Sequence, residues 1–101
     1  MTELGEARQR RRHERIELEV EVIVRTGRAL LPGRTQDISE SGISVILPVE
    51  LLNGEEVGLQ IKLPSGTKTC RAIVRHRNVF RHGFEFMQPL HGNFGNEAVT
   101  G

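Results

Sequence analysis

The feature that most constrains this fold is a hydrophobic period of two, which begins near residue 16. Between residues 16 and 24, apolar side chains occupy every second position, and three glutamates stand between them. Because side chains alternate across a β-strand, this pattern predicts a strand with one buried face and one solvated face. Ile23 falls on the polar face, which indicates that the far end of this strand is covered on both sides.

The same alternation recurs in four further stretches, at residues 43–47, 57–63, 70–77 and 84–86. In the 70–77 stretch, the even-numbered residues up to His76 are predicted to share one face, which makes His76 a structural residue. The polar residues 34–39 are predicted to form a partner strand, and residues 27–33, which contain Pro32, a loop. These patterns predict five or six strands, and they leave residues 48–56 as either a short turn of helix or a plain connection.

The short connections decide how these strands pair. A parallel crossover needs about a dozen residues or more, so most neighbours must pair antiparallel. A six-stranded sheet with one apolar face can hide that face only by closing on itself or by folding into a sandwich. We therefore predict an all-β protein in which residues 16–90 form a small six-stranded antiparallel β-barrel.

Positive charge is concentrated in front of the predicted barrel. Residues 8–15 hold five arginines and one glutamate, although the formal net charge of the 101-residue chain is only +1. A block of like charge without apolar residues does not pack, so residues 1–15 are predicted to be a flexible arm until an anion neutralises it. Residues 91–101 hold few apolar side chains and are predicted to be a disordered tail.

Several classes of protein are not expected from this sequence. Its one cysteine, Cys70, has no intramolecular disulfide partner, and its four histidines show no paired metal-ligand spacing. No apolar run approaches the ~20 residues of a membrane span, and no signal peptide is recognisable, so a soluble cytoplasmic protein is expected. Because no nucleophile with its base, carboxylate pair or phosphate-binding glycine loop is present, we expect neither an enzyme nor a bound cofactor or metal.

The residues around position 37 suit a ligand that carries guanine and phosphate. Arginine offers a planar fork of donors that fits phosphate oxygens and the guanine edge, and it stacks on purines. An ionised Asp37 only accepts hydrogen bonds, which matches the N1 and N2 donors of guanine. Ser39 is predicted to share a strand face with Asp37, and Gly42 lets a ligand approach the backbone. Alternatively, Asp37 and Ser39 only cap a turn.

The two motifs Arg11-x-x-x-Arg15 and Asp37-x-Ser39-x-x-Gly42 together resemble the signature of the PilZ domain, the bacterial receptor module for cyclic di-GMP. Two further segments fall where that family has them, residues 43–46 and 83–86. The resemblance implies that Arg11 and Arg15 hold guanine and phosphate from the arm. It implies that Asp37, Ser39 and Gly42 form the barrel side of the site.

The resemblance also bears on the number of ligands and on the C-terminus. Arg12 occupies a variable position of the first motif and contacts either phosphate or only solvent. Family members with arginine at the position of Arg10 tend to bind two stacked ligand molecules, so two cyclic di-GMP molecules are favoured. Many members pack a C-terminal helix on the barrel. Residues 91–101 show no pattern for one, so either a barrel mouth stays open or a partner covers it.

The predicted function is therefore a cyclic di-GMP receptor whose ordered arm changes the surface shown to a downstream protein partner. One alternative is a small nucleic-acid-binding barrel with a basic arm, although such grooves usually expose aromatic residues, and Phe84 and Phe86 are predicted to be core. Another alternative is a ligand-independent PilZ-like adaptor, against which the complete arginine pair argues. A second basic patch of Arg75, Arg77 and Arg81 is predicted to be a solvated sheet face rather than a phosphate contact.

Overall fold

The structure, a computed structural model, describes residues 15–89, and these residues form seven β-strands and no helix. The strands are β1 (Ile16–Glu17), β2 (Glu21–Arg25), β3 (Leu30–Ile38), β4 (Gly42–Ile46), β5 (Glu56–Leu63), β6 (Gly66–Asn78) and β7 (Arg81–Phe86). All of them pair antiparallel, in the order β1-β3-β2-β5-β6-β7-β4, and β4 pairs with β3 as well.

The pairing of β3 with β4 closes strands β2 to β7 into a barrel, and β1 is a short extra strand beside β3. The predicted six-stranded antiparallel barrel is thus confirmed. The predicted arm, apart from Arg15, and the predicted tail at residues 91–101 lie outside the described residues.

The core lies inside the barrel and is built from the alternating apolar positions. In β5 the buried side chains are those of Val57, Leu59, Ile61 and Leu63, with exposed or half-buried residues between them. Phe84 and Phe86 of β7 are buried, as predicted. Burial of one large apolar side chain contributes about 1.5–3 kcal/mol relative to exposure, so this core is the main stabilising term of the domain.

Residues 16–24 do not form the single strand that their alternation predicts. Glu17 pairs with Asp37 and Glu21 with Arg34, so the register on β3 shifts by one residue between β1 and β2. The hydroxyl of Thr35 donates to the carbonyl of Leu18 and accepts the amide hydrogen of Val20 at 2.9 Å. This buried side chain satisfies the backbone at the break, which stabilises the irregular connection.

The predicted loop at residues 27–33 is also shorter than expected, because β3 already begins at Leu30. Pro32 lies within β3 and pairs with Ile23 of β2. The pairing with β4 starts only at Arg34, so one side of β3 is open at Pro32. A proline at such an open edge removes no hydrogen bond from the sheet.

Two β-bulges decide which side chains reach the outer face of the barrel. In β3 the register against β4 shifts between Thr35 and Asp37, so Thr35 is buried while Asp37 turns outward. In β6 the register against β7 shifts between Val74 and His76. The prediction that Val74 and His76 share a face is therefore wrong: Val74 is buried and His76 is exposed. The extra residue in each bulge reverses the alternation that follows it.

Candidate functional site

A row of five residues crosses the outer face of the barrel from β1 to β6. Direct cross-strand pairs connect them in the order Glu17, Asp37, Ser44, Gly83 and His76. Directly paired residues have Cβ atoms about 4.5–5.5 Å apart, so the row forms one continuous surface. Gly83 has no side chain, which leaves an open space between Ser44 and His76.

A cleft of about 550 Å³ lies over this open position. Among the described residues that line it are three arginines of the outer face, Arg15, Arg75 and Arg81, but only one carboxylate, that of Glu85. An excess of guanidinium groups around one concave surface gives a positive potential, which attracts anions. Because arginine matches phosphate in charge and geometry, the cleft is suited to a phosphate-containing ligand.

Arg15 and Asp37 meet at the rim of the cleft. The Nε atom of Arg15 donates to Oδ1 of Asp37 at 2.6 Å, and its Nη2 atom donates to Oγ of Ser44 at 3.4 Å. The side chain of Arg15 is 47% exposed and that of Asp37 is 21% exposed. The structure thus brings one residue of each predicted motif into direct contact, with the rest of the Arg15 guanidinium open to solvent.

Ser39 and Gly42 belong to the turn that joins β3 to β4. β3 ends at Ile38, so Ser39 does not continue the strand face of Asp37. The buried Ser39 hydroxyl accepts the amide hydrogens of Ser41 and Gly42, both at 3.2 Å. This geometry is that of a serine capping a turn. The proposed contact of Ser39 with a ligand stays a prediction.

Gly42 begins β4 and lies close to the backbone of Phe84 in β7. A Cβ atom at this position would clash with the carbonyl oxygen of Phe84. Gly42 also lines the cleft, so the position that needs glycine for close backbone approach is part of the cleft wall. The motif glycine therefore has a backbone role, independent of any contact with a ligand.

Comparison with known proteins identifies the family of this chain. A family model of the PilZ domain matches residues 9–97. The chain belongs to the PilZ domain family. The match includes the described barrel and both sequence motifs, so the resemblance drawn from those motifs is confirmed.

Two solved structures are similar to this PilZ domain. The PilZ domain of CeSA from a cellulose-synthesizing bacterium superposes with a TM-score of 0.62 at 23% identity, over 83% of this chain and 87% of that one. The Bacillus subtilis inhibitor of motility (MotI/DgrA) gives a TM-score of 0.69 at 22% identity, over 91% of this chain and 49% of that one. At these identities the shared feature is the fold. No curated protein sequence matches the chain.

Arg75 and Arg81 of the second basic patch of this PilZ domain share the outer face of the cleft, whereas Arg77 pairs across strands with the buried His82 and lies on the other face. Nε of Arg75 pairs with Oε1 of Glu85 at 2.6 Å, and Nη1 of Arg77 pairs with Oε1 of Glu50 at 3.4 Å. Within residues 15–89, Arg81 has no ion-pair partner. The sequence predicted a solvated face for these arginines, and they are indeed largely solvent-exposed. It did not predict that Arg75 and Arg81 line one cavity together with Arg15.

Ser44 and His76 are cleft residues that the sequence-based assignment missed. Ser44 is a polar residue between the buried Ile43 and Val45, and this outward position in a strand is the signal that could have identified it. No comparable signal exists for His76, because only the bulge turns it outward. Arg10, Arg11 and Arg12 lie outside the described residues.

Residues 15–89 offer neither a metal site nor a membrane-spanning helix. Within residues 15–89, no group of three or more His, Cys, Asp or Glu side chains could hold a metal ion. That part of the chain also contains no helix long and apolar enough to cross a membrane.

Proposed function

We propose that this PilZ domain is a bacterial receptor for cyclic di-GMP, which binds in the arginine-lined cleft. The observation that carries the proposal is the contact between Arg15 and Asp37 at the cleft rim. It joins a donor suited to phosphate and purine with an acceptor suited to guanine, at one place on the surface. Since the ligand is a second messenger, the receptor acts in the cytoplasm.

The chemistry of the two residues is compatible with simultaneous binding to each other and to the ligand. A carboxylate has two oxygens with about four acceptor positions, so Asp37 can hold Arg15 and still accept from N1 and N2 of guanine. The guanidinium of Arg15 has five N–H donors and a flat face. It can therefore keep its bond to Asp37 while it contacts a phosphate or stacks on the base.

Arg10, Arg11 and Arg12 supply the other half of the proposed site. In this proposal they are drawn to the ligand phosphates and fold against the barrel, with Arg11 holding guanine and phosphate beside Arg15. Arg10 favours two stacked cyclic di-GMP molecules in each domain. The ordering of this segment costs entropy that the binding energy must offset, and it changes the surface that a protein partner meets.

A second candidate function is the binding of single-stranded nucleic acid. Phe80 is 49% exposed at the turn between β6 and β7, and it is followed directly by Arg81. An exposed aromatic beside arginine is the combination on which bases stack. This candidate predicts binding that needs no particular base and weakens steeply with salt.

Calorimetric titration separates the two functions. We expect cyclic di-GMP to bind at two molecules per domain, and cyclic di-AMP, which lacks the N2 donor, to bind at least tenfold more weakly. GTP and a short single-stranded DNA serve as controls, each at two salt concentrations. Equal affinity for the two cyclic dinucleotides would reject the receptor and favour the nucleic-acid function.

A further inference from the structure

A second row of residues crosses the outer face of the barrel, from β3 over β2 and β5 to β6. Direct cross-strand pairs connect Leu30 to Arg25, Arg25 to Gly58, and Gly58 to Arg71. The amide of Met87 donates to the carbonyl of Arg71 at 3.0 Å, which places Met87 at the end of the row. Four of these residues are exposed and Gly58 is half-buried. The five residues are here called the Gly58 row.

Gly58 leaves an open position in the middle of the row. A groove of about 580 Å³ lies there, and Arg25 and Arg71 are among the described residues that line it. Nε of Arg25 lies 3.6 Å from the position that a Cβ atom of Gly58 would occupy, so the Arg25 side chain extends over the glycine. The residues that line this groove are all different from those that line the cleft over Gly83.

The two arginines of the row differ in how they are paired. Arg71 holds the carboxylate of Glu56 through Nε at 2.7 Å and also through Nη2, and its side chain is 70% exposed. Within residues 15–89, Arg25 forms no ion pair. Two guanidinium groups and one carboxylate leave a net positive charge beside the open glycine. A carboxylate matches the guanidinium fork in both charge and geometry.

Exposed apolar side chains stand at both ends of the row. Leu30 is 66% exposed and Met87 is 48% exposed. Single exposed apolar residues are common on protein surfaces. Here, however, two of them flank a pair of arginines within four inter-strand steps, a span of ~19 Å. Arginine and methionine are both enriched at protein interfaces, and methionine adapts its shape to a partner.

We propose that the Gly58 row is a docking surface for an acidic segment of a partner protein. The carboxylates of that segment bind Arg25 and Arg71, and its apolar side chains pack on Leu30 and Met87. An extended segment of about six residues spans the row, at ~3.3 Å per residue. A nucleic-acid strand fits less well, because the Glu56 carboxylate repels phosphate and the row has no aromatic side chain for base stacking.

The docking surface is independent of the proposed receptor function. Because the groove and the cleft over Gly83 have no lining residue in common, a partner can dock while cyclic di-GMP is bound. The inference therefore assigns separate surfaces to the ligand and to the partner protein. Its test needs no ligand in the cleft, so its failure would leave the receptor function untouched.

Titration of the full-length protein with a designed peptide, followed by NMR, tests the proposal. The peptide has about eight residues, with leucine near each end and aspartates in the middle. It should shift the amide resonances of Gly58, Arg71 and Met87. A control peptide with asparagine in place of aspartate should bind about fivefold more weakly. If the acidic peptide shifts none of these resonances, or if a short single-stranded DNA shifts them at lower concentration, the proposal is overturned.

Three variants assign the binding to the row. Arg25→Gln should weaken binding of the acidic peptide about tenfold. Gly58→Val keeps every charge but fills the open position, so it should weaken binding as well. It should fold, because the nearest atom, Nε of Arg25 at 3.6 Å, belongs to a flexible side chain. The matched control is Arg34→Gln, which removes an exposed arginine of β3 outside the row and should leave binding unchanged. Equal weakening by Arg25→Gln and Arg34→Gln would mean that only net charge matters, and it would overturn the proposal.

Discussion

Nε of Arg15 lies 2.6 Å from Oδ1 of Asp37, a contact that joins two motifs separated by 22 positions in the sequence. Arg15 is nearly half exposed, so the ion pair adds at most about 1 kcal/mol to the stability of the barrel. The contact is therefore weak as a structural bond. Its main effect is to hold the Arg15 guanidinium in position at the rim of the cleft.

Replacement of Arg15 by alanine should remove ligand binding without unfolding the domain. Each charge-assisted hydrogen bond contributes ~1.5–3 kcal/mol, so affinity for cyclic di-GMP should fall tenfold to several hundredfold. Arg11→Ala should have the same effect. The melting temperature without ligand should stay within a few degrees of wild type. Arg71→Ala is the matched control, because Arg71 forms an exposed ion pair with Glu56 away from the cleft. Normal binding by Arg15→Ala would contradict the site.

Asp37→Ala should abolish the preference for guanine over adenine. The wild-type preference of at least tenfold corresponds to ~1.4 kcal/mol, and it depends on an acceptor for N1 and N2 of guanine. In the variant, affinities for cyclic di-GMP and cyclic di-AMP should converge, while any non-specific DNA binding changes little. Paired calorimetric titrations of wild type and variant measure this. A variant that still discriminates tenfold would show that another group recognises the base.

The two glycines at the cleft should respond differently to alanine. Gly42→Ala introduces a clash with the Phe84 carbonyl and should lower the free energy of unfolding by about 1–3 kcal/mol. At Gly83 the nearest atom to a new Cβ is Cδ2 of His76 at 3.4 Å, so Gly83→Ala should fold. Because it narrows the cleft, it should weaken ligand binding severalfold. Urea denaturation and calorimetry test the pair, and equal stability of both variants would refute the steric assignment.

Cys70 should react slowly with alkylating reagents. Burial raises the pKa of its thiol from 9.0 to about 11, and only the thiolate is nucleophilic. The two-unit difference between 9.0 and about 11 makes the thiolate fraction at pH 8 about 100-fold smaller than for an exposed cysteine. The rate with iodoacetamide should rise about tenfold per pH unit up to about pH 11. Protein unfolded in guanidinium chloride is the reference, and equal rates in the two states would contradict burial.

Val79→Gly should stabilise the protein. Val79 has a φ of 58°, a left-handed conformation in which a β-branched residue is strained. Relief of this strain stabilises the folded state, whereas the greater conformational entropy of glycine stabilises the unfolded state. The net effect should raise the free energy of unfolding by about 0.5–1 kcal/mol. Val79→Ala is the control, because it removes the apolar side chain but keeps most of the backbone strain. If both variants are equally stable, the gain does not come from the backbone.

Most of the barrel was predictable because its core follows a local pattern. In β5, alternation over residues 57–63 identified every buried position, since a regular strand directs residues i and i+2 to the same side. The two motifs that identify the family could also be read directly from the sequence. The basic residues ahead of the barrel needed no three-dimensional information, whereas the turn capped by Ser39 was only the alternative to a strand that continues past Asp37.

The assembly of the site was decided by tertiary structure. The bulges in β3 and β6 turn Asp37 and His76 outward, and the register shift between β1 and β2 depends on the Thr35 hydroxyl. Each of these features is set by hydrogen bonds to residues distant in sequence. A local hydrophobic pattern of period two carries no information about such bonds. For the same reason, only the closed barrel could bring Arg15 and Arg81 to one cleft.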